Sequence, residues 1–331
     1  MPETGPLDRI RDDVWALRMP MPGEHMPYSF AYLLRDSARG IHVIDPGLDR
    51  DDNWALLIDS LALLGGGSGA RLGDIRSITA THLHPDHLGM AARLRQATGV
   101  PLILHRAEQE ALERRRVASW TPDRLAAQFD EWGVPTGRRA ELTSMAGRAP
   151  ALLDVHADVV VDDGDRLGTG VAPPTPGFDL VAMWTPGHTP GSLSLRDDAR
   201  NILFTGDHVL PVTFSGLGLG GDTATNALAD YLASLDAVAR YPGHEVLPGH
   251  EHRFTGVTTR VAELAQHHLR RTREVAVVMG ADAESNIWQI ASRLTWTAGW
   301  SGLTGFFLFS ALSQTAMHRA ALESPFVRER L

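Results

Sequence analysis

Residues 81–90 read Thr-His-Leu-His-Pro-Asp-His-Leu-Gly-Met, and this stretch constrains the chain more than any other. It crowds His82, His84, Asp86 and His87 into six positions directly after the apolar run Ile75–Ala80. Alternation at His82 and His84 sends two rings the same way where a strand gives out into a loop. Asp86 and His87 then turn towards a second position. Neutral imidazole and carboxylate at this density form the donor set a divalent transition metal requires. A lone histidine among 15 would read as a surface or core residue; four ligand types in H-x-H-x-D-H order read as a metal site.

Composition narrows the class. A chain of 331 residues can build one large core, or a main domain with an appendage. Lys+Arg total 31 against Asp+Glu 40, a net charge of −9, which disfavours a broad nucleic-acid-binding surface. The absence of cysteine excludes disulfides, thiolate ligands and cysteine nucleophiles. The first 25 residues mix acids and prolines with apolar residues and do not read as a signal peptide. Leu303–Leu312, the most apolar late stretch, is too short to span a bilayer and reads as a buried helix. The expectation is a cytoplasmic enzyme without membrane association.

Strand and helix signals alternate through the N-terminal third. Val14–Arg18, Ser29–Arg35 and Gly40–Ile44 read as strands, the last ending at the turn Asp45-Pro46-Gly47. Asp52–Leu64 has helical spacing and meets Gly65-Gly66-Gly67, a helix stop. Ile75–Ala80 is a strand feeding the histidine loop, Leu88–Thr98 a helix, and Pro101–Leu104 another strand. From about 106 to 150 the pattern becomes helical, with Arg106–Val117 and Asp123–Trp132, and reads as an insertion. Strands resume at Val159–Val161, Leu180–Trp184, Ser192–Leu195 and Asn201–Phe204, followed by a helix at Ala227–Ala239 and a short strand at Val246–Leu247. Helices Val257–Val278, Ala283–Leu294 and Leu303–Ala321 then fill the tail. The expected division is a catalytic domain over 1–255 and a helical subdomain over 256–331.

Three further elements follow strands. Thr185-Pro186-Gly187-His188-Thr189-Pro190-Gly191-Ser192 sets a histidine in a stiff turn, Phe204-Thr205-Gly206-Asp207-His208 offers a carboxylate, and Leu247-Pro248-Gly249-His250-Glu251 a histidine. Each lies past the C-terminal end of a strand, where an α/β sheet carries its site. The ordered set H-x-H-x-D-H, G-H-T-x-G-S, G-D and P-G-H, with the early Asp45 in Ile-Asp-Pro-Gly, resembles the metallo-β-lactamase-fold hydrolases over roughly residues 10–255. The resemblance implies an α/β fold, a four-layer αβ/βα sandwich with the site at one edge of two facing sheets. It implies that His82, His84 and His188 hold one metal and that Asp86, His87 and His250 hold a second. Asp207 would bridge the two, and Asp45 would orient the metal loop by hydrogen bonding. Two Zn2+ per chain are expected, with Mn2+ or Fe2+ as alternatives, sharing a hydroxide that serves as nucleophile.

The lack of cysteine and the presence of Asp207 steer away from antibiotic hydrolysis and towards members with a full binuclear set: thioesterases of the glyoxalase-II type, lactonases, other esterases and phosphodiesterases. His267–Glu274, Ile287–Leu294 and Ala316-Met317-His318 resemble the helical, winged-helix-like tail of the lactamase-B2-like branch. That branch contains acyl hydrolases and a single-strand endoribonuclease. Met19, Met21 and Met26 in a Pro/Gly-rich segment, and Val209–Phe214 with Gly216–Gly220 after Asp207, read as apolar walls suited to a small-molecule substrate. The expectation is therefore hydrolysis of a small-molecule ester, thioester or lactone, with Asp86, Asp207 and His208 catalytic and Met26, Tyr28 and Phe214 touching substrate. A homodimer is left open. The alternative, a phosphodiesterase or single-strand endoribonuclease, requires a cationic groove at Arg114–Arg116, Arg138 and Arg139 beside the metals. Some lactonases of this fold carry a tyrosine three residues after the bridging aspartate; Leu210 stands there, leaving His208 or Tyr28 to steady a carbonyl. Glu108, Glu110 and Glu113 read as acids on a solvated helix face beside Arg114–Arg116. Gly216, Gly218 and Gly221 fit G-x-G-x-x-G by spacing, but too late in the chain for a dinucleotide loop.

Overall fold

A computed structural model describes residues 5–22, 26–64, 69–117, 121–146, 155–168, 175–221, 225–297 and 299–331, with backbone alone at 115–117 and 145–146. The Gly65-Gly66-Gly67 helix stop, Trp120 and the side chains of Arg115 and Arg116 fall outside these residues.

Two sheets form the centre. The first joins seven strands in chain order: β1 (Leu7–Arg11), β2 (Val14–Pro20), β3 (Tyr28–Arg35), β4 (Ile41–Ile44), β5 (Ile75–Thr79), β6 (Leu102–His105) and β7 (Val159–Val161). It is antiparallel through β4 and parallel from β4 to β7. The second runs β12-β11-β10-β9-β8, from β8 (Arg166–Leu167), β9 (Leu180–Trp184), β10 (Leu193–Asp197), β11 (Ile202–Gly206) and β12 (Glu245–Pro248).

The period of two along each strand sorts side chains into layers. Trp15, Leu17, Met19, Leu33 and Val43 face outward onto Leu57 and Leu61 of α1 (Asp51–Leu63). In the same cluster lie Leu88 of α2 (Pro85–Leu88), Leu94 of α3 (Ala91–Thr98) and Leu112 of α4 (Arg106–Val117). Their neighbours Val14, Ala16, Phe30, Tyr32 and Leu34 face inward and meet Leu180, Ala182, Leu195, Ile202 and Phe204 of the second sheet. The far face of that sheet, through Met183, Leu203 and Val246, receives a last helical layer. The result is helix, sheet, sheet, helix: a four-layer αβ/βα sandwich.

The insertion consists of α5 (Pro122–Trp132) and α6 (Thr136–Ala146) after α4. The Thr121 hydroxyl caps α5 by accepting from the Arg124 amide, Pro122 opens its first turn, and Gly133 closes it at φ +70°. The last layer consists of α7 (Ala227–Val238), α8 (Val257–Ala281), α9 (Ile287–Arg293), α10 (Gly305–Ala321) and α11 (Pro325–Arg328). The helical tail is present and carries no β ribbon among its described residues. It packs on two partners at once. Val257, Val261 and Leu264 join Tyr231, Leu232 and Leu235 of α7, while Ile287, Ala291, Leu308 and Leu312 join Phe129, Trp132 and Leu142 of the insertion. Insertion and tail thus share one apolar core.

Several local expectations are corrected. Strand β1 precedes the first expected one, and α6 is a further helix of the insertion. The helix expected at Leu88–Thr98 is two, because Pro85 starts a short turn within the histidine motif itself. Met19 is not in a loop: it lies in β2, buried in the core, so of the three methionines only Met21 and Met26 stand between β2 and β3.

Candidate metal centre

Each ligand-bearing turn is built where a strand ends, and each is anchored before it points. In the histidine loop, Leu83 and Leu88 are buried in the helix-side core, which fixes the backbone between the polar side chains. Asp45, just past β4 at φ +53°, accepts hydrogen bonds from the Thr81 amide (2.7 Å) and hydroxyl (2.8 Å) and from His87 Nδ1 (2.9 Å). It therefore orients the metal loop as expected. The last turn is stitched to β3: His250 Nδ1 donates to the Tyr28 carbonyl (2.9 Å), and the Tyr32 hydroxyl donates to the Pro248 carbonyl (2.6 Å). Gly249 lies so close to the ligands that a Cβ would stand 2.4 Å from Asp207 Oδ1 and 2.6 Å from His87 Cε1. No other residue fits there.

Two donor groups result. His82, His84, His188 and Asp207 form one, and Asp86, His87 and His250 the other, the ligand atoms within each lying within 4.8 Å of one another. In the first, His84 Nδ1 sits 3.0 Å from His82 Nε2 and 3.1 Å from His188 Nε2. The far nitrogens are already used. His188 Nδ1 donates to the Gly216 carbonyl (2.7 Å), and His82 Nδ1 donates to Thr81 Oγ1 (3.1 Å), whose own proton goes to Asp45. Both Nε2 atoms therefore present lone pairs to His84, an arrangement that calls for a cation between them.

Asp207 divides its two oxygens. Oδ2 faces the first group, 3.7 Å from His188 Nε2 and 4.0 Å from His82 Nε2; Oδ1 faces the second, 3.4 Å from both His87 Nε2 and His250 Nε2. Oδ1 is buried and makes no hydrogen bond. Asp86 Oδ2 completes the second group at 3.2 Å from His250 Nε2 and 3.5 Å from His87 Nε2. Donors at these separations, with an orphaned carboxylate oxygen between them, fit a pair of divalent ions with Asp207 as the bridge. Asp86 is the most open carboxylate, its side chain 16% exposed, and marks the entrance with the half-buried His84.

Electrostatics differ between the groups. Burial, and then the neighbouring histidines, push His82 down and His84 to about 3, and burial lowers His188 against the opposing pull of Asp207, so the first group is neutral and ready to ligate. In the second, burial opposes charge, but Asp207 and the other facing carboxylates outweigh it. They raise His87 and carry His250 to about 10. Burial likewise opposes ionisation of Asp86 and Asp207, yet the facing His87 and His250 hold both well below the usual carboxylate range.

The remaining expected residues fall elsewhere. His208 has its ring buried edge-on against Tyr231 of α7, 5.0 Å between centroids, and stands outside both donor groups. Tyr28 meets the site through its carbonyl, while its hydroxyl donates to the Glu251 carbonyl (2.8 Å). Phe214 is 40% exposed and stacks on His267 of α8 at 3.7 Å. Met26 is half-buried just before β3. The glycine-rich loop serves the site rather than a nucleotide: Gly216 receives the His188 proton, and Gly218 N donates to the Gly187 carbonyl (2.8 Å).

A profile of the Metallo-beta-lactamase superfamily matches residues 27–250, more than half the chain and the whole span of the ligands. The chain belongs to the metallo-β-lactamase superfamily. Among curated proteins it is similar to the probable metallo-hydrolase YqjP of Bacillus subtilis (strain 168), 23% identical over 320 residues, 95% of this chain and 93% of that protein. It also resembles proteins named acyl-coenzyme A thioesterase MBLAC2. The Gallus gallus protein is 28% identical over 277 residues, 82% of this chain and 88% of that one, and the Homo sapiens protein is 28% identical over 199 residues, 58% and 61%. Among solved structures, a beta-lactamase domain protein from Burkholderia ambifaria superposes with a TM-score of 0.73 at 24% identity, covering 97% of this chain and 90% of that one. These structures share the fold. A metallo-β-lactamase-fold chain with a His/Asp set for two divalent ions is a metal-dependent hydrolase.

Proposed function

We propose that this metallo-hydrolase cleaves a small-molecule ester, thioester or lactone, using two zinc ions held by His82, His84, His188 and Asp207 and by Asp86, His87, His250 and Asp207. The observation that carries the reading is the apolar lip beside the ligands. Val212, Phe214 and Leu219 are 62%, 40% and 37% exposed on a single loop. The same loop donates Ser215 Oγ to the Asp207 carbonyl, accepts the His188 proton at Gly216, and donates Leu219 N to the His188 carbonyl. Large apolar side chains left in water next to a catalytic centre suit an acyl chain. The names of the MBLAC2 relatives point the same way.

When bound, the ions supply an acidified water and a Lewis acid for the scissile carbonyl. The chain's own groups do the rest. Asp207 ties the two ligand groups together, Asp45 fixes the tautomer of His87, and Asp86 stands ionised at the entrance. The nitrogen-rich, thiolate-free donors suit zinc, with manganese or iron(II) as alternatives.

The phosphodiester reading needs cations free to meet phosphates, and the described arginines support it poorly. Arg114 pairs with Glu110, Arg138 with Glu141 and the Leu303 carbonyl, and Arg139 with Asp130 and the Val134 carbonyl. The deciding experiment measures turnover of zinc-loaded protein on acyl thioesters and p-nitrophenyl esters of increasing chain length, beside bis(p-nitrophenyl) phosphate. Acyl cleavage that improves with chain length is the expected result. Dominant phosphodiester cleavage would overturn the proposal. Phe214→Ala should raise KM for the longest acyl chain roughly tenfold while leaving the acetate ester unaffected.

A further inference from the structure

Glu108 lies in the first turn of α4, in a stretch whose acids look like a solvated face, yet it is only 1% exposed. Its carboxylate is surrounded by donors from the two turns that carry the three-histidine group. Oε1 accepts from the Leu83 amide (2.6 Å) and the Thr189 hydroxyl (2.8 Å), and Oε2 accepts from the Gly191 amide (2.7 Å). Leu83 sits between His82 and His84, and Thr189 follows His188 directly. Gly191 packs so tightly on the same helical turn that a Cβ there would stand 2.1 Å from the Glu108 amide nitrogen. The two turns also join directly, through Leu193 N donating to the Thr81 carbonyl (2.8 Å).

We propose that Glu108 is a positioning residue that clamps the His82/His84 loop to the His188 turn and thereby sets the spacing of the three-histidine metal group. This rests on the two-metal reading of the site. The chemistry is specific to a carboxylate. Among the described residues, three donors converge on its two oxygens, each an N–H or O–H from a ligand-bearing turn. Buried charge is tolerated because each oxygen is hydrogen-bonded. A glutamine would set its amide protons against at least one of those donors. Among the described hydrogen bonds of Glu108, none goes to the residues of the second group, where His87 is oriented by Asp45, His250 by the Tyr28 carbonyl, and the Asp86 backbone carbonyl accepts from Ser29 Oγ. The clamp therefore acts on one metal group of two, which a general contribution to stability would not do.

The test is a zinc titration of metal-free protein against a chromophoric chelator, resolving the two stepwise affinities. His188→Ala identifies the step that belongs to the three-histidine group. Glu108→Gln should weaken that step by about 10- to 100-fold, the usual cost of losing a partner that orients a ligand, and leave the other within about twofold. Thr189→Val, which removes one donor and keeps both amides, should weaken the same step by a smaller factor. Both steps unchanged in Glu108→Gln, or both reduced by the same factor, would overturn the clamp. A wild-type chain that binds no zinc at the three-histidine step would sink the two-metal reading and the clamp together, whereas two wild-type steps with an unmoved variant would sink the clamp alone.

Discussion

At the scale of single residues, the centre depends on a few atoms with no substitute. Asp207 gives one oxygen to each donor group, so Asp207→Ala should release metal from both and lower turnover by more than the 10- to 100-fold typical of an outer hydrogen-bond partner. Metal analysis with steady-state kinetics checks it; a variant that keeps two ions and near-normal turnover would refute the bridge. Gly249→Ala tests steric fit instead, since its methyl would displace Asp207 or His87; the expected result is metal loss with an unchanged far-ultraviolet dichroism spectrum. The residue scale also shows where sequence reading stops. His82, His84, Asp86 and His87 are legible because their spacing is local, and His188, Asp207 and His250 because each follows a strand inside a stiff motif. His208 follows Asp207 directly, and consecutive residues leaving a strand point opposite ways, so its ring packs on Tyr231 of α7, a contact its sequence position does not show. Glu108 is invisible because its partners lie 25, 81 and 83 residues away.

At the scale of elements, the loop after Asp207 is held from both ends of the fold. Arg260 of α8 donates to the carbonyls of Leu210 (2.7 Å), Val212 (2.9 Å) and Thr213 (2.9 Å), and its guanidinium stands 5.1 Å from the Phe214 ring centroid. Glu251 accepts from the amides of Val212 (2.8 Å) and Thr213 (3.0 Å). The tail is thus part of the wall around the site. Arg260→Met should leave three carbonyls short of a donor and cost at least about 2 kcal/mol in urea unfolding; an unfolding midpoint equal to wild type would show the loop is held without it. Strands and long helices are readable from periodicity, including the tail. The grip of one on the other is not, because an arginine on a helix looks like any solvated cation until the loop it holds is in place.

At the scale of the molecule, the apolar cluster shared by α5, α6, α9 and α10 argues that the insertion and the tail stand together. A fragment ending at residue 255 should expose the partners of Leu264, Leu308 and Leu312 and bind a hydrophobic dye instead of folding natively; a soluble, cooperatively unfolding fragment would contradict this. Buried neutral histidines also set an acid limit. Burial pushes His42 and His105 to about 4 and His318 to about 3. The unfolded chain protonates these rings near pH 6.5 and the folded one does not, so stability is complete above that pH and falls as pH drops from about 6.5 towards 4. Urea unfolding at pH 7.5 and pH 5 should differ by at least about 2 kcal/mol, and His318→Gln should reduce the difference. Equal stability at the two pH values would show that these rings titrate normally.

The central claim, two ions sharing Asp207, is tested most directly by anomalous diffraction at the zinc edge from crystals of the zinc-loaded protein. The prediction is two peaks per chain, one among His82, His84, His188 and Asp207, the other among Asp86, His87, His250 and Asp207. A single peak at full loading, or two peaks of which only one touches Asp207, would contradict it.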